Sequence, residues 1–199
     1  MGHSRADKAR SRERILTNAS TRIREVGLDG VSVGELMKSA NLTHGGFYGH
    51  FDSRSSLIAA ALDRAISDGE AAATAGERGK GSRSVKSVVN GYLSPVHRDN
   101  PGSGCAIAAL AADAARAEPE VRSIMAGKLE RYLDNMAKVY GDGPEADEFA
   151  SGAWSTMIGA VILSRVFAGT PRSDEILAQA RRAILRLEEA MREQPEAAA

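Results

Sequence analysis

The stretch "LTHGGFYGHF", residues 42–51, decides how the rest of the chain is read. Three of its ten residues are Gly, each costing a helix interior roughly 0.8–1 kcal/mol relative to Ala. Two are His and three are aromatic, in a chain only 5% aromatic. Three readings are open at this point: a metal or catalytic site, a phosphate-cradling loop, or a surface shaped to meet another molecule.

The flanking segments carry helical signals. Residues 10–26 set Ile15, Leu16, Ala19, Ile23 and Val26 at helical spacing, and Gly27 follows where a C-terminal cap belongs. In "SVGELMKSA" (32–40), Ser32 and Glu35 have capping-box spacing and announce a helix of about two turns. "ANL" reads as a tight turn, with Thr43 placed to cap a third helix over 43–51. "FDSRSSLIAAALDRAI" (51–66) begins a fourth, with Asp52 or Ser53 as its cap.

His44 and His50 are six residues apart, about 240° around a helix, so they cannot clamp one ion. No Cys or carboxylate cluster accompanies them, and no metal or cofactor is expected. Neither phosphate-binding glycine pattern matches, and a helical segment rather than a strand precedes the glycines. Two short helices over 32–40 and 43–51, with a turn between them, are helix-turn-helix arithmetic.

Charge distribution agrees. The 26 basic and 26 acidic residues cancel overall. Through Arg24, however, seven basic residues (Arg5, Lys8, Arg10, Arg12, Arg14, Arg22, Arg24) face only Asp7 and Glu13. A basic head on a mildly acidic body is a modest nucleic-acid footprint. The single cysteine, Cys105, excludes an intrachain disulfide and fits a reducing cytosol. The N-terminus has no signal-peptide core, and the apolar run Met157–Leu163 is too short to span a bilayer. A cytoplasmic protein with no membrane partner is expected.

The remaining chain reads as all-α, about nine helices in total. "GEAAATAGERGKGSRS" (69–84) reads as a loop or frayed helix end. Helices are expected over 84–96, distorted by Pro95, and over 105–115, 119–140, 147–168 and 174–193, with "HRDNPGSG" and "GDGPEADE" as breaks and an unstructured Ala-rich tail. In the last helix Leu177, Ala180, Ile184, Leu187 and Met191 step by 3, 4, 3, 4, the seam of helices packed on helices.

The string "RILTNASTRIREVGLDGVSVGELMKSANLTHGGFYGHFDSRSSLI", within residues 10–58, resembles the TetR-type (TetR/AcrR) one-component transcriptional regulators. The matching landmarks are the Gly27 break, "SV" before the second helix, Ala40 in the turn, Thr43 as cap, "FYGHF" and Arg54. The resemblance implies a three-helix DNA-binding domain over 1–56 and a larger helical ligand-binding and dimerisation domain over 57–199. It also implies residue roles. Phe47 and Phe51 hold the third helix down, while Thr43, His44, Gly45, Gly46, Tyr48, His50 and Arg54 face double-stranded DNA. Where the family often has Thr, Ser or Ala at 46 and a large residue at 49, this chain has Gly, which leaves the reading to His44 and Tyr48.

For the C-terminal part, the resemblance implies a small-molecule effector pocket and a homodimer interface. Tyr92, His97, Cys105, Met125, Leu129, Tyr132, Trp154, Met157, Ile158 and Phe167 are the pocket candidates. Val161, Arg165, Leu177, Ala180, Ile184, Leu187 and Met191 are the interface candidates, a purely intrachain seam being the alternative. Arg165 is open to two roles, pairing with a ligand anion or with an acidic residue across the dimer. Cys105 is open to two as well: a reactive thiol at a helix start, or a small buried hydrophobe. The expected function is a repressor that binds a pseudo-palindromic operator as a homodimer and is released by a small apolar or electrophilic effector. An activator or global DNA binder of the same fold, and an all-α enzyme using Cys105 and His97, are the alternatives.

Overall fold

The computed structural model describes residues 5–75 and 83–193, and every regular element among them is helical. The elements are α1 Arg5–Val26, α2 Val33–Ser39, a 3-10 turn His44–Gly49, α3 Arg54–Ala75, α4 Val85–Tyr92, α5 Pro95–Asp99, a 3-10 turn Pro101–Ser103, α6 Ala106–Arg116, α7 Pro119–Tyr140, α8 Ala146–Val166 and α9 Pro171–Arg192. They form two compact units, Met1–Gly76 with Pro101–Gly127, and Glu77–Asn100 with Lys128–Ala199. Compactness thus groups the chain differently from a division at residue 56: α3 and the segment 101–127 pack with the head.

In the first unit, Ile15, Ala19 and Ile23 recur every four residues on α1 and are fully buried, against Leu57, Leu62 and Ile66 of α3 and Ile107 and Leu110 of α6. Gly27 closes α1 with φ +82° and donates its N–H to the Ile23 carbonyl at 2.9 Å. A side chain there would be strained and would also crowd α6, its Cβ lying 2.7 Å from Asp113 Oδ2. That carboxylate accepts the Leu28 N–H at 3.1 Å, tying α6 to the end of α1. Arg24 is buried in the same unit; its Nη1 donates to the Ala65 carbonyl at 3.0 Å while Nε has no partner.

The second unit is built on the hairpin of α8 and α9. Phe149, Ala153, Met157, Ala160 and Val161 of α8 and Leu177, Ala180 and Ile184 of α9 are buried in it. Ser173 donates to the Ser164 carbonyl at 2.7 Å and pins the start of α9 to the end of α8. By length and hydropathy α8 meets the test for a membrane span, as a half-buried core helix also does.

Several element expectations need correction. The helix expected over 84–96 stops at Tyr92, because Ser94 caps a new helix by accepting the His97 N–H at 3.2 Å and Pro95 occupies its first turn. "HRDNPGSG" is therefore helix end and 3-10 turn rather than open loop. Helix α3 continues through the Ala-rich residues to Ala75, so 69–75 are helical; the rest of that stretch up to 82, and the tail from 194, lie outside the described residues.

Candidate nucleic-acid interface

The site begins with α2. Ser32 is its N-cap and accepts the Glu35 N–H at 3.4 Å, the capping geometry expected from the spacing. Asn41 takes φ 57°, a left-handed conformation that Asn tolerates, and turns the chain. The next element is a 3-10 turn, His44–Gly49, rather than an α-helix. Three glycines in six residues weaken an α-helix, and the tighter form persists in such short pieces. Thr43 occupies the cap position, but its side chain makes no capping bond.

The rings of this turn divide into two sets. Phe47 and Phe51 are 3% and 5% exposed, stacked with centroids 5.9 Å apart. Tyr48 is 72% exposed and packs only its edge on Phe47, at 5.2 Å. Thr43, His44, Gly45 and Gly49 are exposed, Gly46 and His50 half-buried. A Cβ on Gly45 or Gly49 would meet nothing within 4 Å, and one on Gly46 would make ordinary contacts with Thr43 and Met37 at 3.6 and 3.7 Å. No internal crowding calls for these glycines. Gly45 and Gly49 leave the exposed side of the turn without side chains.

His50 caps the turn, its N–H donating to the Phe47 carbonyl at 2.8 Å. Its Nδ1 is buried without a hydrogen-bond partner. Burial first, then the nearby cations Lys8 and Arg12, push its pKa below the ordinary histidine value. His50 is therefore a half-buried neutral ring near pH 7. Ser53 and Ser56 exchange reciprocal bonds at 3.1 and 3.0 Å, forming the cap of α3. Arg54 Nη2 donates to the carbonyls of Leu28, Asp29 and Val31 at 2.8, 3.2 and 3.4 Å. Arg54 thus clamps the loop between α1 and α2, a role the sequence pattern does not reveal.

The effector candidates are divided between the two units. Cys105 and Met125 fall in the first unit, the other eight in the second. Four of those eight make a cluster. Tyr92 lies 4.5 Å from His97 and 5.1 Å from Trp154, and Tyr132 lies 5.0 Å from Trp154. Trp154 Nε1 donates to the Tyr132 carbonyl at 2.8 Å, and His97 Nδ1 to the Tyr92 carbonyl at 2.7 Å. Burial, and to a lesser degree Arg165, lower the His97 pKa against the raising effect of that bond. Met157 is fully buried, Leu129 and Ile158 are half-buried, and Phe167 is exposed at the end of α8. Cys105 is buried and stands at the N-cap of α6 without a capping bond.

The interface candidates also need correction. Val161, Leu177, Ala180 and Ile184 are buried within the chain, in the seam between α8 and α9, and present no surface to a partner. Arg165 is engaged inside the chain: Nε donates to the Arg98 carbonyl at 3.0 Å and Nη2 to the His97 carbonyl at 3.4 Å, capping α5. Leu187 is exposed and Met191 half-buried. The large aliphatic side chains that α8 exposes are Ile162, Leu163 and Val166. Among the described residues no group of three or more His, Cys, Asp or Glu can hold a metal ion.

A capped short helix, a turn and a pinned recognition segment define a helix-turn-helix DNA-binding module on a chain whose described elements are all helical. Residues 15–61 match the family of bacterial regulatory proteins, tetR family. Solved structures resemble nearly the whole chain. A TetR-family regulator from Chloroflexus aurantiacus matches with TM-score 0.76 and 22% identity, over 90% of this chain and 94% of that one. One from Cytophaga hutchinsonii matches with TM-score 0.75 and 19% identity, over 93% and 97%. The reduced form of Escherichia coli NemR matches with TM-score 0.72 and 20% identity, over 87% and 94%. A search of curated proteins finds no match. The helix-turn-helix segment thus matches the tetR family model, and the chain as a whole has the fold of these solved structures.

Proposed function

We propose that this regulator is a repressor that binds a pseudo-palindromic operator as a homodimer and leaves it when a small molecule binds. The observation that carries the reading is Tyr48, 72% exposed on a turn held down by Phe47 and Phe51 and cleared of side chains at Gly45, Gly46 and Gly49. An exposed ring with a hydroxyl suits a phosphate or a thymine methyl, and His44 beside it suits a base edge. Thr43 and the neutral His50 add backbone contacts. Arg54 contributes chiefly by holding the loop that carries α2.

Two copies meet through the outer face of the α8–α9 hairpin, with Ile162, Leu163, Val166 and Leu187 as its apolar core. Two-fold symmetry then sets two recognition turns about 34–36 Å apart or somewhat further. The effector site draws on Tyr92, His97, Tyr132 and Trp154, which suit a flat, largely apolar molecule. Release follows population shift: the effector stabilises a dimer whose turns no longer match the groove spacing.

The test is selection of duplexes from a random library by the purified full chain. An inverted repeat is the expected product; a single half-site or no enrichment rejects the homodimeric operator. A second reading of the trigger rests on Cys105, buried at the start of α6, and on a similar structure being a reduced form. If a Cys105→Ser variant still releases DNA on treatment with oxidant or electrophile, that reading is wrong.

A further inference from the structure

The basic residues of α1 are not equivalent once their partners are known. Asp7 pairs with Arg10, and Glu13 with Arg64 at 2.8 Å. Arg14 donates to Ser11 at 3.2 Å, Arg22 pairs with Glu25 at 3.2 Å, and Arg24 is buried. Both acidic residues at the start of α1 are therefore engaged. Arg5, Lys8 and Arg12 remain, all exposed and with no acidic partner among the described residues. At about 100° per residue these three fall within an arc of about 60° on the helix, whereas Arg10 and Arg14 lie well over 100° from its centre.

That arc borders the recognition turn. The Arg12 guanidinium sits 4.9 Å from the centre of the Phe51 ring, the ring that anchors the turn. Lys8 and Arg12 both act on the His50 imidazole, after burial, in holding it neutral. Three cations in a row without an anion repel one another, and a polyanion relieves that repulsion. Arg5 to Arg12 spans about 10 Å of helix, about three base-pair steps of duplex measured along its axis at 3.4 Å each.

We infer that the first two turns of α1 are a second DNA-contacting element, a ridge of Arg5, Lys8 and Arg12 that follows the sugar–phosphate backbone flanking each half-site. This rests on the operator-binding reading above and extends its footprint past the recognition turn. The ridge adds affinity without sequence preference, since phosphates carry no base identity.

The experiment measures the salt dependence of Kd for the full chain, on the library-selected duplex and on a scrambled duplex of equal length. Arg5→Ala/Lys8→Ala is compared with Arg10→Ala/Arg14→Ala, which removes the same number of cations from the other side of α1. The ridge pair lowers the log–log salt slope by about two per protomer, weakens both duplexes roughly tenfold or more near physiological salt, and shortens the hydroxyl-radical footprint at its outer edges. The control pair changes the slope by less than half as much. Equal changes from the two pairs, or an unchanged slope in the ridge pair, overturn the inference. A wild-type chain that enriched no duplex would instead remove the operator-binding reading on which it rests. Thermal melting of both variants keeps folding out of the comparison, because neither Arg5 nor Lys8 has a side-chain partner to lose among the described residues.

Discussion

The recognition turn and the α8–α9 hairpin solve opposite problems. The turn is six residues of poor helix former, held by two buried rings and leaving its other side chains outward. The hairpin is two helices of 21 and 22 residues that bury one another's apolar stripes. In the turn, stability comes from neighbours and the local sequence is free to serve a partner. In the hairpin, the most regular apolar pattern serves the chain's own core, and a partner meets what is left over. A strong apolar period identifies a seam without saying whether the two sides belong to one chain or two.

Substitutions in adjacent positions sharpen that contrast, beginning with the largest effect. Phe47→Ala is expected to cost about 3–5 kcal/mol of head stability by opening a cavity in its core. Tyr48→Ala, one residue on, should stay within about 0.5 kcal/mol of wild type because the ring is exposed. Yet Tyr48→Ala should lose operator affinity. Chemical denaturation and gel shift on the two variants check this; a Tyr48→Ala chain that binds normally removes Tyr48 from the interface.

The hairpin offers the mirror pair. Leu177→Ala should destabilise the chain by about 2–5 kcal/mol, because the side chain is buried in the intrachain seam. Val166→Glu should leave the fold intact and shift the protein toward monomer, read by sedimentation. Should Leu177→Ala dissociate the protein without lowering its stability, the assignment of the seam fails.

A smaller effect is expected at Arg54. Arg54→Ala leaves three loop carbonyls to water and should cost about 1–3 kcal/mol in denaturation, with DNA binding weakened alike on all sequences. A change of sequence preference at unchanged stability would place Arg54 in direct readout, against this expectation.

The smallest effect is with pH. His97 and His50 both have folded pKa values below the ordinary histidine value of about 6.5. Their neutral forms favour the fold, so this contribution is complete above about pH 6.5 and is lost as pH falls through the lower folded values. Thermal midpoints should drop between about pH 7 and pH 5, and less so in His97→Gln. A midpoint that rose on acidification would reverse the sign.

Much of the head was legible because its signals are local. Ser32 with Glu35, Gly27 and Asn41 report hydrogen bonds and backbone angles within a few residues of themselves. The boundary error at Pro95 has a local cause as well: Ser94 converts a distortion into a fresh helix start. Arg54, Arg165 and Asp113 were not legible in their actual roles. Each bonds to backbone 26, 67 or 85 residues away, and no period or spacing encodes such a partner.

The sequence alone therefore determined most of the helices, the helix-turn-helix order and the exposure of His44 and Tyr48, since short-range hydrogen bonding and helical periodicity act within a turn or two. Only the tertiary structure decided which face of α8 is buried, which cations on α1 stay without an acidic partner, and that Arg54 and Arg165 close a loop and a helix end. Those outcomes depend on which distant surfaces come together to exclude water, a competition that involves the whole packed unit.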